Sequence, residues 1–148
     1  MRAAVYQGMG QPLAIERIPD PRPADDQVVI EVAHAGICGS DLHVTEYGVI
    51  PNGTILGHEF AGTIVGFGAT ARGGWKVGDR VTALPIHPCR SCDACDAGLP
   101  ALCTNGIFTG MTLAIPGAYA EYVCARTGLV QKLPDGVSPA APLIGLDD

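Results

Sequence analysis

The sequence predicts a mostly β protein: a small, irregular, antiparallel β-barrel with short helices and one loop lobe. Its length of 148 residues is that of one domain. Hydrophobic residues make up 47% of the chain and charged residues 16%, which is enough apolar surface for a core. The 20 glycines and 12 prolines, beside only 5% aromatic residues, favour short strands and turns over a helix bundle.

The predicted strands are short and close together. They cover residues 2–6, 13–18, 27–35, 55–67, 118–125 and 129–133, with one more entered through the turn at 77–81. The clearest strand is 27–35, because Val28, Ile30 and Val32 point to one face. Residues 55–67 form a glycine-interrupted β-branched run, which predicts a bent or bulged strand.

Two short helical segments are also expected. Ser40 is placed to cap a helical turn over residues 41–46, since a serine hydroxyl accepts a free backbone N–H at a helix start. Ser138 followed by Pro139 is typical of another helix start.

Charge and hydropathy exclude several classes of protein. A net charge of −6 without a cluster of lysines and arginines argues against binding to nucleic acid or to anionic membranes. No apolar run approaches the roughly 20 residues that span a bilayer. The first seven residues lack the apolar stretch of a secretory signal, so we expect a cytoplasmic protein with reduced cysteines.

Four of the six cysteines are closely spaced, as C-x2-C-x2-C-x7-C: Cys89, Cys92, Cys95 and Cys103. Such spacing lets thiolates converge on one ion, and four of them close a tetrahedral zinc shell with no position left for substrate. The predicted centre is therefore structural and holds a loop over residues 88–104. Disulfides and coincidence are the alternatives, although the cysteine content is low for a disulfide scaffold.

A second group of metal-binding residue types lies at the ends of predicted strands. Cys38 follows the clearest strand, and His58 with Glu59 belongs to the next. A catalytic zinc takes three protein ligands and keeps a position for water or substrate, and only Cys38 and His58 are evident ligands. Each residue alone has a simpler explanation, as a buried thiol or a solvated strand end. Together, beside a predicted zinc lobe, they favour a metal site.

The motifs resemble those of one family. They are Cys-Gly-Ser-Asp-x-His at 38–43, Gly-His-Glu-x2-Gly-x5-Gly at 57–68, Gly-Asp-Arg-Val at 78–81, the four cysteines, and Gly-Ala-Tyr-Ala-Glu-Tyr at 117–122. The set occurs in this order in zinc-dependent medium-chain alcohol dehydrogenases and covers nearly the whole chain. The resemblance implies the GroES-like barrel that forms the catalytic domain of that family.

The resemblance also implies residue roles. Cys38 and His58 would be catalytic zinc ligands, and Glu59 would be the nearby carboxylate that ligates transiently or tunes the site from outside. Asp41 would orient the zinc-binding histidine, whose neutral ring nitrogen binds the metal.

A proton path is implied as well. Ser40 matches the hydroxyl that accepts the substrate proton, and His43 matches the distal member of the relay. Zinc would act as a Lewis acid on the alcohol oxygen, and a hydride would pass to NAD or NADP. The expected substrate is a small alcohol, polyol or carbonyl compound, and the full-length form is compatible with a homo-oligomer.

The sequence departs from the family in two respects. It has no Gly-x-Gly-x-x-Gly between a strand and a helix, so we expect residues 1–148 to be the catalytic domain without its nucleotide-binding domain, binding zinc with little turnover. The third catalytic ligand is not evident: Asp147 or Asp148 could supply it after a shift of register, Glu59 could complete the shell, or the site could be partly empty.

Other functions remain open. The chain could be a zinc-binding structural or interaction module that has lost catalysis, and the zinc count would distinguish the two. It could also be a zinc hydrolase with Glu59 as general base. We interpret Tyr119 and Tyr122 as core or interdomain packing residues.

Overall fold

The computed structural model describes residues 1–71 and 74–141 and confirms the mostly β prediction. Its strands are β1 (Arg2–Val5), β2 (Ala14–Arg17), β3 (Gln27–Ala35), β4 (Phe60–Phe67), β5 (Arg80–Ala83), β6 (Ile86–His87), β7 (Ile107–Phe108), β8 (Tyr122–Arg126) and β9 (Val130–Lys132). The helices are α1 (Gly39–Tyr47) and α2 (Asp93–Asp96), with 3₁₀ turns at Pro100–Leu102 and Thr127–Leu129. No helix in the described residues is long and apolar enough to cross a membrane.

The main sheet is antiparallel and has the strand order β8-β3-β4-β5-β9. Strands β1 and β2 form one separate ribbon, and β6 and β7 form another. The register of β3 against β4 shifts twice, between Val29 and Ile30 and between Val32 and His34. The second shift lies close to the end of β3 that leads to Cys38, where such an irregularity bends the strand.

The core lies against one face of this sheet. Val28 and Ile30 of β3 are fully buried, as their alternation predicts, and they pack with Ile64 of β4. All five strands contribute to the same cluster, which contains Val28, Ile30, Phe60, Ile64, Val81, Ala83, Ala118, Val123, Ala125 and Val130. The five strands therefore share one hydrophobic core.

Two predicted strands begin later than the sequence indicated. The strand predicted over 55–67 starts at Phe60, because Gly57 has φ +92°, outside the extended region. The strand predicted over 118–125 starts at Tyr122. Before it, the amides of Ala118 and Tyr119 donate to the carbonyls of Gly57 and Leu56, so that segment bonds to residues 55–57 instead of continuing the ladder.

The start of α1 also differs from the prediction. Its N-cap is Cys38, and Ser40 lies inside the first turn. The Cys38 sulfur accepts a hydrogen bond from the Ser40 amide at 3.4 Å, and Oδ2 of Asp41 accepts one from the Cys38 amide at 3.0 Å. This reciprocal capping box satisfies two free backbone donors at the N-terminus of α1. Near the other predicted helix start, Ser138 Oγ accepts from the Ala140 amide, and residues 142–148 lie outside the described part.

Candidate metal centres and active site

The predicted cysteine lobe projects from the β6–β7 ribbon, and its four sulfurs lie within 4.8 Å of one another. Cys92 Sγ is 3.6 Å from Cys95 Sγ and 3.8 Å from Cys103 Sγ. A tetrahedral shell with Zn–S bonds of about 2.3 Å has sulfur–sulfur edges of about 3.8 Å. The observed spacing therefore fits one zinc ion held by four thiolates.

Backbone amides favour negative charge on this sulfur cluster. The pKa of Cys92 is lowered to about 6, first by the amide of Cys95 and then by that of Thr104. The Cys89 amide also donates to Cys103 Sγ at 3.3 Å. Since zinc binds the thiolate form, these donors lower the proton competition at Cys92, whereas burial raises the pKa of Cys95 to about 11.

The second group converges because β3 and β4 are antiparallel neighbours. Ala35, at the end of β3, pairs with Phe60, at the start of β4. Cys38 comes just after β3, and His58 with Glu59 comes just before β4, so all three lie at one end of this strand pair. Their ligand atoms lie within 4.8 Å of one another.

The donor set fits zinc. It supplies one thiol, one imidazole and one carboxylate, which are the ligand types of zinc sites, and three such ligands leave a fourth position open. His58 and Glu59 are only 5% and 6% exposed. A cavity of about 430 Å³ adjoins the group, lined by Cys38, Ser40, His58, Pro85, Phe108 and Met111. The open position would therefore face a space large enough for a small molecule.

Asp41 lies beside His58, as the resemblance implied. Its Oδ1 is 3.5 Å from His58 Nδ1, and both side chains are buried. Burial raises the pKa of Asp41, but His58, the Cys38 amide and the Tyr119 hydroxyl outweigh it, so the pKa lies below its usual value. An ionised Asp41 favours a proton on Nδ1 of His58, so that Nε2 is the nitrogen that would bind a metal ion.

Ser40 and His43 occupy different environments on α1. Ser40 Oγ lies 3.4 Å from His58 Nε2 and lines the cavity. His43 is three residues further along, on the same side of the helix, where it is exposed and its ring lies 6.2 Å from that of Tyr47. The structure thus brings Ser40 into the site and places His43 towards solvent. Asp147 and Asp148 lie outside the described residues.

Sequence reasoning missed Tyr119. Its hydroxyl lies 2.9 Å from Asp41 Oδ2 and 3.0 Å from the Gly36 carbonyl oxygen. Its ring also packs at Gly57, where a β-carbon would lie 2.5 Å from Tyr119 Cδ1. A tyrosine in a β-rich sequence is usually a packing residue, and only the fold brings this one to the site.

Residues 24–135 match the alcohol dehydrogenase GroES-like domain family. The chain is 39% identical to the sorbitol dehydrogenase of Bacillus subtilis over 143 residues, which is 93% of this chain and 40% of that protein. It is 34% identical to an L-threonine 3-dehydrogenase of Klebsiella pneumoniae over 126 residues, covering 82% of this chain and 36% of that protein.

A solved relative has the same fold. The acetophenone reductase of Geotrichum candidum, in complex with NAD, matches with a TM-score of 0.87 at 30% identity, covering 99% of this chain and 43% of that chain. The chain thus spans about 40% of the length of the curated relatives described above.

Proposed function

The chain belongs to the alcohol dehydrogenase GroES-like domain family, and from that premise we propose that it is the zinc-binding catalytic domain of an oxidoreductase. The reaction is the interconversion of an alcohol with its aldehyde or ketone, with NAD or NADP as hydride carrier. The observation that carries the proposal is the convergence of Cys38, His58 and Glu59 beside Ser40 and an open cavity.

Three side chains would hold the catalytic zinc: the sulfur of Cys38, Nε2 of His58 and the carboxylate of Glu59. When bound, zinc supplies Lewis acidity towards a substrate oxygen. The chain itself prepares this donor set. The Ser40 amide at the start of α1 donates to the Cys38 sulfur, and Asp41 would hold His58 in the ligating tautomer.

Ser40 is the group placed to move the substrate proton. Its hydroxyl lies next to the ligand nitrogen of His58 and lines the cavity, so an alcohol bound there could donate its proton to Ser40 Oγ. His43, on the same side of α1 and exposed to solvent, is the proposed exit towards bulk water. Glu59 stays a candidate ligand, because its carboxylate faces the same point as Cys38 and His58.

The cavity walls indicate the class of substrate. Pro85, Phe108 and Met111 present apolar surface opposite Ser40 and the ligand group. Such a pocket accepts a small alcohol or carbonyl compound with an apolar group next to the reacting carbon. The proposal of a small alcohol or carbonyl compound is supported by relatives named for sorbitol and for acetophenone. We propose that NAD or NADP binds mainly to a segment that is present in the relatives and lies outside the part that this chain covers.

Metal analysis tests the proposal directly. We expect two zinc ions per chain in material purified without chelators. Cys38→Ser should remove one, and Cys92→Ser should remove the other. With cobalt in place of zinc, small ligands such as imidazole should change the visible spectrum of the Cys38 site and leave the four-cysteine lobe unchanged, because only the first keeps an open position.

Two outcomes would contradict the proposal. One zinc per chain that is insensitive to Cys38→Ser would indicate a structural module with a closed lobe alone. Two zinc ions without any response to added ligand would indicate two closed sites. A turnover assay with NAD and NADP completes the test: we expect little activity from this chain, and rates of an intact dehydrogenase would refute the proposal that the carrier binds elsewhere.

A further inference from the structure

Tyr119 joins the two segments that carry the ligand group. It lies just before β8, far along the chain from both, yet its hydroxyl reaches Asp41 at the start of α1. Its amide donates to the Leu56 carbonyl at 2.9 Å, and its ring packs directly on Gly57, next to His58. One residue is therefore fixed to the His58 segment through its backbone and ring and to the Cys38 segment through its hydroxyl.

The hydroxyl constrains the Asp41 carboxylate. Oδ2 of Asp41 accepts from the Cys38 amide at 3.0 Å and from Tyr119 at 2.9 Å, which leaves Oδ1 turned towards His58 Nδ1. Without the Tyr119 donor, one of the two fixed contacts of Oδ2 is lost and the carboxylate can rotate. Burial, and then the Asp41 charge, raise the pKa of Tyr119, so this hydroxyl stays protonated and acts as a donor.

We propose that Tyr119 is a positioning residue for the catalytic metal, acting through Asp41 to hold His58 in its ligating orientation. The inference rests on the proposed function, since it requires Cys38, His58 and Glu59 to bind a metal ion. A group that contacts a ligand directly, as Asp41 contacts His58, typically contributes about 10–100-fold to metal affinity, and Tyr119 acts one contact further from the metal. The ring of Tyr119 has a separate role in packing, so only its hydroxyl is assigned to the metal site.

The test variant is Tyr119→Phe, which removes the hydroxyl and keeps the ring on Gly57. Tyr122→Phe is the matched control, because within the described residues the Tyr122 hydroxyl has no hydrogen-bond partner. The probe is Co²⁺, followed by its visible spectrum, and Zn²⁺, followed by competition with a chromophoric chelator. The four-cysteine lobe of the same molecule is an internal reference, since a general loss of stability would weaken both sites.

We expect Tyr119→Phe to lower metal affinity at the Cys38 site by up to about 10-fold and to change the cobalt spectrum there, with the lobe unaffected. Tyr122→Phe should bind as wild type does. Asp41→Asn should weaken the same site, and adding Tyr119→Phe to it should cost much less than in the wild-type background, because the hydroxyl acts through the carboxylate.

Each other result overturns the inference. The hydroxyl does not position the ligand if Tyr119→Phe leaves metal affinity unchanged or lowers it equally at both sites. The same conclusion follows if Tyr119→Phe has an equal effect with and without Asp41→Asn. If Tyr119→Phe does not fold, Asp41→Asn still tests the inference, since a wild-type cobalt spectrum in that variant refutes an effect transmitted through Asp41. Failure of the wild-type chain to bind metal at Cys38 would instead contradict the proposed function.

Discussion

A methyl group at Gly36 would press directly on the proposed ligand Glu59. Gly36 follows β3, and its amide donates to the Glu59 carbonyl at 2.8 Å. A β-carbon built there lies 2.5 Å from Glu59 Oε2 and 3.3 Å from Glu59 Cβ. Ordinary contacts begin near 3.5 Å, so Gly36→Ala should push the carboxylate away by about 1 Å. Backbone strain does not contribute, because Gly36 is outside the left-handed region.

A shift of that size is large for a metal ligand. Ligand distances in metal sites agree within about 0.2 Å of their ideal values, so a carboxylate displaced by about 1 Å no longer completes the shell. We expect zinc affinity at the Cys38 site to fall by at least about 10-fold, because even partners outside the ligand shell contribute about 10–100-fold. Competition with a chromophoric chelator measures this loss, and the cobalt spectrum should lose its carboxylate contribution.

Gly39→Ala is the matched control. Gly39 lies three residues away, at the start of α1, and no atom lies within 4 Å of a β-carbon there. This substitution should leave metal binding unchanged and stabilise the chain by up to about 1 kcal/mol, since alanine favours the helix and restricts the unfolded chain. Wild-type zinc affinity in a folded Gly36→Ala chain would show that Glu59 is not a ligand in this site.

Three further outcomes are expected. In urea unfolding, Ile64→Ala should destabilise the chain by about 2–5 kcal/mol, because Ile64 is fully buried. The side chain of Val65 is 40% exposed, so Val65→Ala should cost less than about 1 kcal/mol, and equal losses would contradict the described core. The hydrogen bond from the Lys76 amide, more than any other contact, lowers the pKa of Asp79. The ionised carboxylate therefore stabilises the fold above the unfolded pKa of about 3.9, and this stabilisation is lost as pH falls through the lower pKa of the folded state. The difference in stability between wild type and Asp79→Asn should shrink below about pH 4, and a constant difference would refute this. Zinc uptake by the cysteine lobe should weaken as pH falls through the neutral range, because burial raises the pKa of Cys95 to about 11 while backbone amides lower the pKa of Cys92 to about 6, and protons compete with zinc for both sulfurs; zinc affinity that does not change with pH would refute this.

The sequence predicts those features that local spacing controls. The four sulfurs of the lobe come from a short loop, so their spacing was enough to predict a cluster that the structure forms within 4.8 Å. The alternation of β3 is regular and predicts its observed bounds, and Val28 and Ile30 on its core-facing side are fully buried. The mostly β class followed from composition and is confirmed.

Contacts between distant segments were not predictable in this way. Tyr119 is 78 residues from Asp41, and nothing in its immediate sequence marks it as different from a packing aromatic. Serine is a common N-cap residue, so the sequence predicts the N-cap of α1 at Ser40. The structure places the N-cap at Cys38, because its sulfur accepts from the Ser40 amide and the Asp41 carboxylate accepts from the Cys38 amide.

The observed start of β4 at Phe60, later than the predicted strand over 55–67, matters for function because it leaves His58 and Glu59 outside the strand. In a regular strand, consecutive side chains point to opposite faces, so a strand over 55–67 would separate these two residues. The ladder begins only at Phe60, after the left-handed Gly57, and the two residues before it are free of strand alternation. Both can then face the Cys38 sulfur, which is the arrangement that a three-ligand zinc site requires. A substitution that extends β4 back through Gly57, such as Gly57→Val, should therefore abolish metal binding at this site, both by displacing Tyr119 and by turning Glu59 away from His58.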